Sequence, residues 1–229
     1  VTYSLADLTP RAHLQVTASN VPRRFLGLEV DDVREGASEK SLLVVEQWLS
    51  AVREGRVIRA DGMPNCGRGL LLYGKPGVGK TALSCAVVQD LIRTMPPGGW
   101  RSAERKLERP IFFATYPKIL SLMKDRMDGD DAADRILRQM FGEEEATAIR
   151  VLVIDDVGKE YRNANGWAET MFDHLLRTRF DQGWPTIVTT NVPLRDWPQV
   201  YGEPMGSFAH EAFESLAIMA VGGDRRRTE

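Results

Sequence analysis

Apolar and polar positions alternate along this chain at two periods, and each change of period marks an element. Over residues 38–53 the apolar side chains Leu42, Val45, Trp48, Leu49 and Val52 recur at helical spacing. Ser38 suits the N-cap of that helix and Gly55 its stop. Gly69-Leu70-Leu71-Leu72-Tyr73 is a short, unbroken apolar run, and a helix-like run over 82–93 follows it. Ile111-Phe112-Phe113-Ala114 reads as a buried strand. Residues 116–127 and 131–140 then read as two helices broken at Asp128-Gly129-Asp130. Val151-Leu152-Val153-Ile154 suits a strand buried on both faces of a parallel sheet, and it ends in Asp155-Asp156. Residues 167–182 form a helical pattern with Ala168, Met171, Phe172, Leu175 and Leu176 on one side. Pro185-Thr186-Ile187-Val188-Thr189-Thr190-Asn191 is a further buried strand with its proline tolerated at the start. A short helix over 207–215 and a last strand, Ala217-Ile218-Met219-Ala220-Val221, close the pattern. Such alternation predicts a three-layer α/β fold around a mainly parallel, five-stranded sheet. Its polar residues collect at the C-terminal ends of the strands, where such sheets take ligands.

The flanks carry weaker patterns. Residues 1–20 have mixed polarity and read as an arm or the remnant of a preceding segment, which leaves 21–229 as the one domain. Val21-Pro22-Arg23-Arg24-Phe25-Leu26-Gly27-Leu28 reads as a short extended strap. Pro96-Pro97-Gly98-Gly99 and the charged run over 100–109 read as a long connection. With Arg101, Arg105, Lys106 and Arg109 this connection is either a solvated face or a loop turned toward DNA.

Composition narrows the function. A chain of 229 residues with 43% hydrophobic content holds one α/β domain with a sizeable core. A net charge of −2 excludes a global basic field, so any nucleic-acid contact must come from a local patch. Cys66 and Cys85 are too few for a disulfide framework and lack metal-ligand spacing. No apolar run approaches a membrane span and no signal peptide is visible, so a cytoplasmic protein with reduced thiols is expected.

One stretch carries the chemistry. Gly74-Lys75-Pro76-Gly77-Val78-Gly79-Lys80-Thr81 lies between a strand and a helix, the order a phosphate-binding loop requires. By chance this pattern arises in roughly one chain per hundred of this length, before the flanking elements are counted. Glycines let successive N–H groups point into one concavity, and the helix behind adds its unpaired first-turn N–H groups. Lys80 then reaches the β- and γ-phosphates of ATP, and the Thr81 hydroxyl binds Mg²⁺. Asp155 stands where the second Mg²⁺ anchor is needed, Asp156 where a water is polarised, and Asn191 where water near the γ-phosphate is oriented. The strap either packs Phe25 and Leu28 on the core or forms one wall of an adenine pocket.

Three segments together resemble the AAA+ helicase loaders of DnaC/DnaI type and the related IstB-type transposition ATPases. They are the 69–81 segment, Val151-Leu152-Val153-Ile154-Asp155-Asp156-Val157-Gly158-Lys159-Glu160, and Thr186-Ile187-Val188-Thr189-Thr190-Asn191. The strap, Val21 to Phe25, is similar to the segment preceding that core, and Gly222 to Arg226 to the one closing it. The resemblance implies that Lys80 and Thr81 hold phosphate and Mg²⁺, with Asp155 the Walker B metal ligand and Asp156 the catalytic acid. Asn191 would be sensor 1 and Arg226 (or Arg225) the sensor 2 cation. It also implies slow ATP hydrolysis, a replicative helicase as partner, and self-association through bridging ATP. Single-stranded DNA would lie along the helix pair 116–148.

Two departures from the family pattern stand out. The family places an arginine finger before the last strand, yet no Arg or Lys occurs between Arg195 and Arg225. His210 is the only cation in that helix, unless Arg177 or Arg179 substitutes. The chain also ends soon after the last strand, so a reduced or missing lid is expected. Two other functions therefore stay open beside helicase loading: a transposition accessory ATPase, and an ATP-switched adaptor with negligible turnover.

Overall fold

The computed structural model describes residues 9–57, 67–95, 109–144, 147–158 and 166–220. The five apolar runs become strands β1 (Leu70–Tyr73), β2 (Ile111–Thr115), β3 (Val151–Val157), β4 (Thr186–Thr190) and β5 (Ala217–Met219). They pair in the order β2-β3-β4-β1-β5, and every pairing is parallel. The first crossover therefore runs from β1 to the far edge β2, and β4 returns to lie beside β1. The crevice that this reversal opens lies at the C-terminal ends of β1 and β4.

Period-two alternation sends neighbouring side chains to opposite faces of the sheet. Leu70, Leu72, Val153 and Ile187 pack on one side with Trp48, Val45 and Leu91. Leu71, Leu152, Ile154 and Val188 pack on the other with Phe172, Trp197 and Leu137. The first layer holds α1 (Pro10–Ala18), α2 (Glu39–Arg53) and α3 (Lys80–Thr94). The second holds α4 (Tyr116–Met127), α5 (Asp131–Phe141), α6 (Trp167–Asp181), α7 (Trp197–Tyr201) and α8 (Glu203–Phe213). The three-layer α/β fold is thus as expected. No helix among the described residues is long and apolar enough to cross a membrane.

Helix ends follow local chemistry. The Ser38 hydroxyl accepts the Ser41 N–H at 3.1 Å and starts α2. Gly55, at φ +73°, ends it as the Gly55 N–H bonds the Val52 carbonyl and the Arg56 N–H the Ala51 carbonyl. Asp130 caps α5 through the Ala132 and Ala133 N–H groups at 2.7 and 3.0 Å.

Several local readings change. The strap is not extended: Arg23–Phe25 is a 3₁₀ turn, closed by the Phe25 N–H on the Pro22 carbonyl at 2.8 Å. Helix α8 begins four residues ahead of its expected start, and α7 was not expected at all. Both carry a proline (Pro204, Pro198) in the first turn, where a missing N–H costs nothing. Within the first 20 residues, α1 forms behind the Thr9 cap. The segment after it covers the open edge of β2: the Phe113 N–H donates to the Ser19 carbonyl at 2.6 Å, and Asn20 Nδ2 to the Phe113 carbonyl at 3.0 Å.

Candidate functional site

At the end of β1 the chain turns through Gly77 (φ +84°) and Gly79 (φ +100°), conformations in which a Cβ would be strained, and enters α3 at Lys80. The Lys80 side chain is folded back into the loop it terminates. Its Nζ donates to the carbonyls of Gly74 at 2.9 Å and Lys75 at 2.8 Å, and to Asn191 Oδ1 at 2.9 Å. One ammonium thus joins the ends of β1 and β4. Next to it, the Thr81 hydroxyl donates to Asp155 Oδ1 at 2.9 Å, and the Thr189 hydroxyl donates to the same oxygen at 2.6 Å. Asp155 is buried, so these hydroxyls fix its carboxylate in place.

Strand β3 does not stop at Asp155. Its pairing with β4 shifts register between Ile154 and Val157, which makes a bulge, and Asp156 takes φ +66°. The Asp156 N–H donates to Thr189 Oγ1 at 2.9 Å. This kink breaks the alternation that would turn Asp155 and Asp156 to opposite faces.

A cavity of about 360 Å³ opens over these groups, lined by Gly77, Gly79, Lys80, Thr81, Asp156 and Asn191, with Arg24 and Phe25 from the strap on its far wall. That volume lies in the range of ordinary small-molecule sites. The Arg24 guanidinium lies over the Phe25 ring at 4.5 Å. Gln89, buried in α3, holds the strap there: its Nε2 donates to the Phe25 carbonyl at 2.8 Å, and its Oε1 accepts the Gly27 N–H at 2.8 Å. Phe25 and Leu28 pack on the core, as one of the two expectations for the strap has it, and Phe25 also lines the cavity. Among the described residues no group of three or more His, Cys, Asp or Glu could hold a metal. The oxygen donors of Thr81 and Asp155 fit Mg²⁺, which takes its other ligands from water and phosphate.

A family model described as IstB-like ATP binding protein matches residues 65–210, more than half of the chain. The chain belongs to this family. The matched span of this IstB-like protein contains every group just described except the strap. Three solved structures share the fold. A crystal structure of the DnaC helicase loader aligns at TM-score 0.60 with 22% identity, over 86% of this chain and 99% of that one. A DnaI structure aligns at 0.58 with 18% identity, over 90% and 95%. The replication initiator DnaA bound to AMPPCP and single-stranded DNA aligns at 0.58 with 13% identity, over 91% and 53%. No curated protein matches the chain in sequence. The IstB-like domain has the P-loop fold of AAA+ type.

A larger hollow of about 930 Å³ lies on the other flank of the loop, between Lys75, Pro76, Leu194, His210 and Met219. Its walls are chiefly apolar; Gly74, Lys75, Pro76, Val78 and Asn191 reach it, but Gly77, Gly79, Lys80, Thr81 and Asp156 line only the smaller cavity, which makes that one the candidate site. Arg225 and Arg226 lie outside the described residues, as does most of the 100–109 connection. Of the two proposed substitutes for the arginine finger, Arg179 is closed to a neighbour, and Arg177 is partly exposed but engaged within the chain. Arg179 is fully buried, donating to the Ile149 carbonyl at 3.0 Å, to Thr186 Oγ1 at 2.9 Å and to the Met140 carbonyl. Arg177 is held by Asp173 at 2.8 Å, by the Pro204 carbonyl at 2.9 Å and by the Phe208 ring.

The expected DNA-lining pair, α4 and α5, packs as two amphipathic helices, but part of its charge is matched internally. Arg126 pairs with Asp134 at 2.9 Å, and Arg138 with Glu143 and Glu144 at 3.2 and 2.9 Å. Lys118, Lys124 and Arg135 are exposed and have no ion pair among the described residues.

Sequence reasoning passed over Arg24, Gln89 and Thr189 as site residues. Gln89 did carry a signal, as a polar residue inside the otherwise apolar buried stretch of α3. The Cys85 thiol, close by, is driven well above its ordinary range by burial and then by Asp155, so it is inert packing rather than a nucleophile.

Proposed function

We propose that this IstB-like protein binds ATP with Mg²⁺ in the smaller cavity, hydrolyses it slowly in the cytoplasm, and uses the cycle to load or remodel a replicative helicase on single-stranded DNA. The observation that carries the ATPase part is the convergence of three strand ends: Thr81 on Asp155 and Lys80 on Asn191, each at 2.9 Å. Thr81 and Asp155 would hold the metal, which neutralises phosphate charge when bound. Gly74, Lys75, Pro76, Gly77, Val78 and Gly79 would wrap the phosphates, with Phe25 against the base. Lys80 would meet the β- and γ-phosphates, Asn191 would orient water, and Asp156 would take its proton. These groups position and neutralise, which is most of what phosphoryl transfer needs.

Fold likeness to the DnaC loader, DnaI and DNA-bound DnaA supports the replication setting. The family's own description equally admits a transposition accessory ATPase. One observation favours a third reading, an ATP-switched adaptor: α8 has no Arg or Lys, Arg179 is buried, and Arg177 is engaged by Asp173 and the Pro204 carbonyl. Such a finger contributes ~10³–10⁵ in rate where it exists.

The test compares ATP turnover, with and without single-stranded DNA, between the parent and Lys80→Ala. Hydrolysis stimulated by the strand and reduced at least ~10-fold in the variant is expected, since one missing phosphate contact removes ~10²–10³ in rate. Tight ATP binding with no turnover would leave the adaptor. Capture of the replicative helicase separates loader from transposition helper, and equal affinity for duplex and single strand argues against the loader.

A further inference from the structure

Two consecutive carboxylates on a strand normally face opposite sides of the sheet. Here both meet groups of one cavity: Asp156 lines it, and Asp155, buried behind it, accepts the hydroxyls of Thr81 and Thr189, which line it as well. The cause is the bulge in β3. Leu152, Val153 and Ile154 pair with Thr186, Ile187 and Val188, and Val157 pairs with Thr190. Asp155 and Asp156 thus stand opposite the single residue Thr189. A non-glycine residue at φ +66° is held in a sparsely populated conformation, which persists only where its surroundings over-determine it.

Thr189 contributes to that constraint. It is buried, and its one hydroxyl does two things. It accepts the Asp156 N–H at 2.9 Å and donates to Asp155 Oδ1 at 2.6 Å. Valine has the same shape and β-propensity but could do neither, so packing alone does not explain a threonine there. Thr190, its neighbour, accepts the Val192 N–H at 3.1 Å and serves the turn beyond Asn191 instead.

We propose that Thr189 is the positioning residue of this site, its hydroxyl fixing the metal-anchoring Asp155 and the water-activating Asp156 in register with each other. The inference rests on the ATPase reading above for its catalytic half. For its metal half it needs only nucleotide binding.

The test is a Mg²⁺ titration of fluorescent mant-ATP binding, run beside steady-state turnover, on the parent, Thr189→Val and Thr189→Ser. Partners behind a metal ligand typically contribute 10–100-fold. For Thr189→Val we expect the half-saturating Mg²⁺ to rise about 10-fold or more and kcat to fall ~10–100-fold. The KM for ATP and the mant-ATP affinity in EDTA should stay within about twofold. Thr189→Ser, which keeps the hydroxyl, should restore both readouts. Parent-like Mg²⁺ dependence in Thr189→Val overturns the proposal, as does a serine variant no better than valine. If Thr189→Val does not fold, Thr189→Ala takes its place and the serine comparison is read the same way. A parent that binds mant-ATP with Mg²⁺ but never turns it over defeats the hydrolytic reading alone, and the titration still decides Thr189.

Discussion

The cradle at the strand ends and the α4–α5 pair are both rich in charge, yet they use it in opposite ways. In the cradle, two charged groups are fixed by residues distant in sequence: Lys80 by Asn191, besides the carbonyls of its own loop, and Asp155 by Thr81 and Thr189. In the helix pair, Arg126 and Arg138 meet carboxylates of the same helix pair or the turn after it. The first arrangement exists only when the sheet is assembled, so it gives a site with defined geometry. The second stabilises its own surface, where exposed pairs contribute ~0–1 kcal/mol each. A density of charge on a surface thus says little about function until its partners are known.

The sharpest way to break that contrast is Asp156→Asn. If the cradle is a catalytic site, the amide keeps the size and loses the base, and general-base removal typically costs 10²–10⁴. Turnover should fall at least ~100-fold while mant-ATP affinity in Mg²⁺ holds within about threefold. Unchanged turnover would remove Asp156 as the base, whereas turnover absent from parent and variant alike would place the chain with the adaptors.

How much of this could be read in advance depends on where the determining contacts lie. The glycine loop, Asp155 and Asn191 were legible because local order (strand, turn, helix) dictates their chemistry. The pairing of Lys80 with Asn191 could be anticipated only through the expected sheet. Thr189 was not legible, because its role comes from a bulge in the neighbouring strand, and a threonine inside an apolar strand reads as ordinary β-propensity. Helix α1 was hidden for a different reason. Pro10 looks like a breaker, but it occupies the first turn behind the Thr9 cap, where proline is tolerated. Arg179 is a conditional substitute for the finger in the sequence alone, because helical periodicity cannot reveal a guanidinium whose acceptors come from other elements.

That arginine joins the helix pair to the sheet that carries the cradle, and disturbing it should affect the two regions unequally. Arg179 ties the last turn of α5, through Met140, to the loop before β3 and to Thr186 at the start of β4. Burial pushes its guanidinium down to about 9, so it is still charged at neutral pH and its removal leaves buried acceptors unmatched. Unsatisfied buried groups cost ~1–3 kcal/mol each. Arg179→Met should therefore lower stability by about 3 kcal/mol, or Tm by about 6–12 °C for a domain of this size. The cradle lies at the opposite end of the strands, so mant-ATP affinity of the folded variant should stay within about twofold. A Tm within about 2 °C of the parent would show that the helix pair is held to the sheet by packing alone.

The smallest expected effect asks whether the helix pair touches DNA at all. Single-strand binding weakens with salt by about 0.7 in log–log slope for each phosphate neutralised. Arg135 is exposed and has no ion pair among the described residues, so its positive charge is available to a phosphate. Arg126 is partly neutralised already by Asp134. Arg135→Glu should then weaken single-stranded DNA binding by about threefold to tenfold at 0.1 M salt and flatten the slope by about 0.7 or slightly more, through one lost contact and one new repulsion. Arg126→Glu should do less to the slope, although it destabilises the helix pair by leaving Asp134 facing another carboxylate. The order of these two variants carries the inference rather than either magnitude. If Arg126→Glu flattens the slope as much as Arg135→Glu, its ion pair opens on binding, and the helix pair is a working surface after all. If neither changes the slope, the strand runs elsewhere and the charge on α4 and α5 only steadies the helices that bear it.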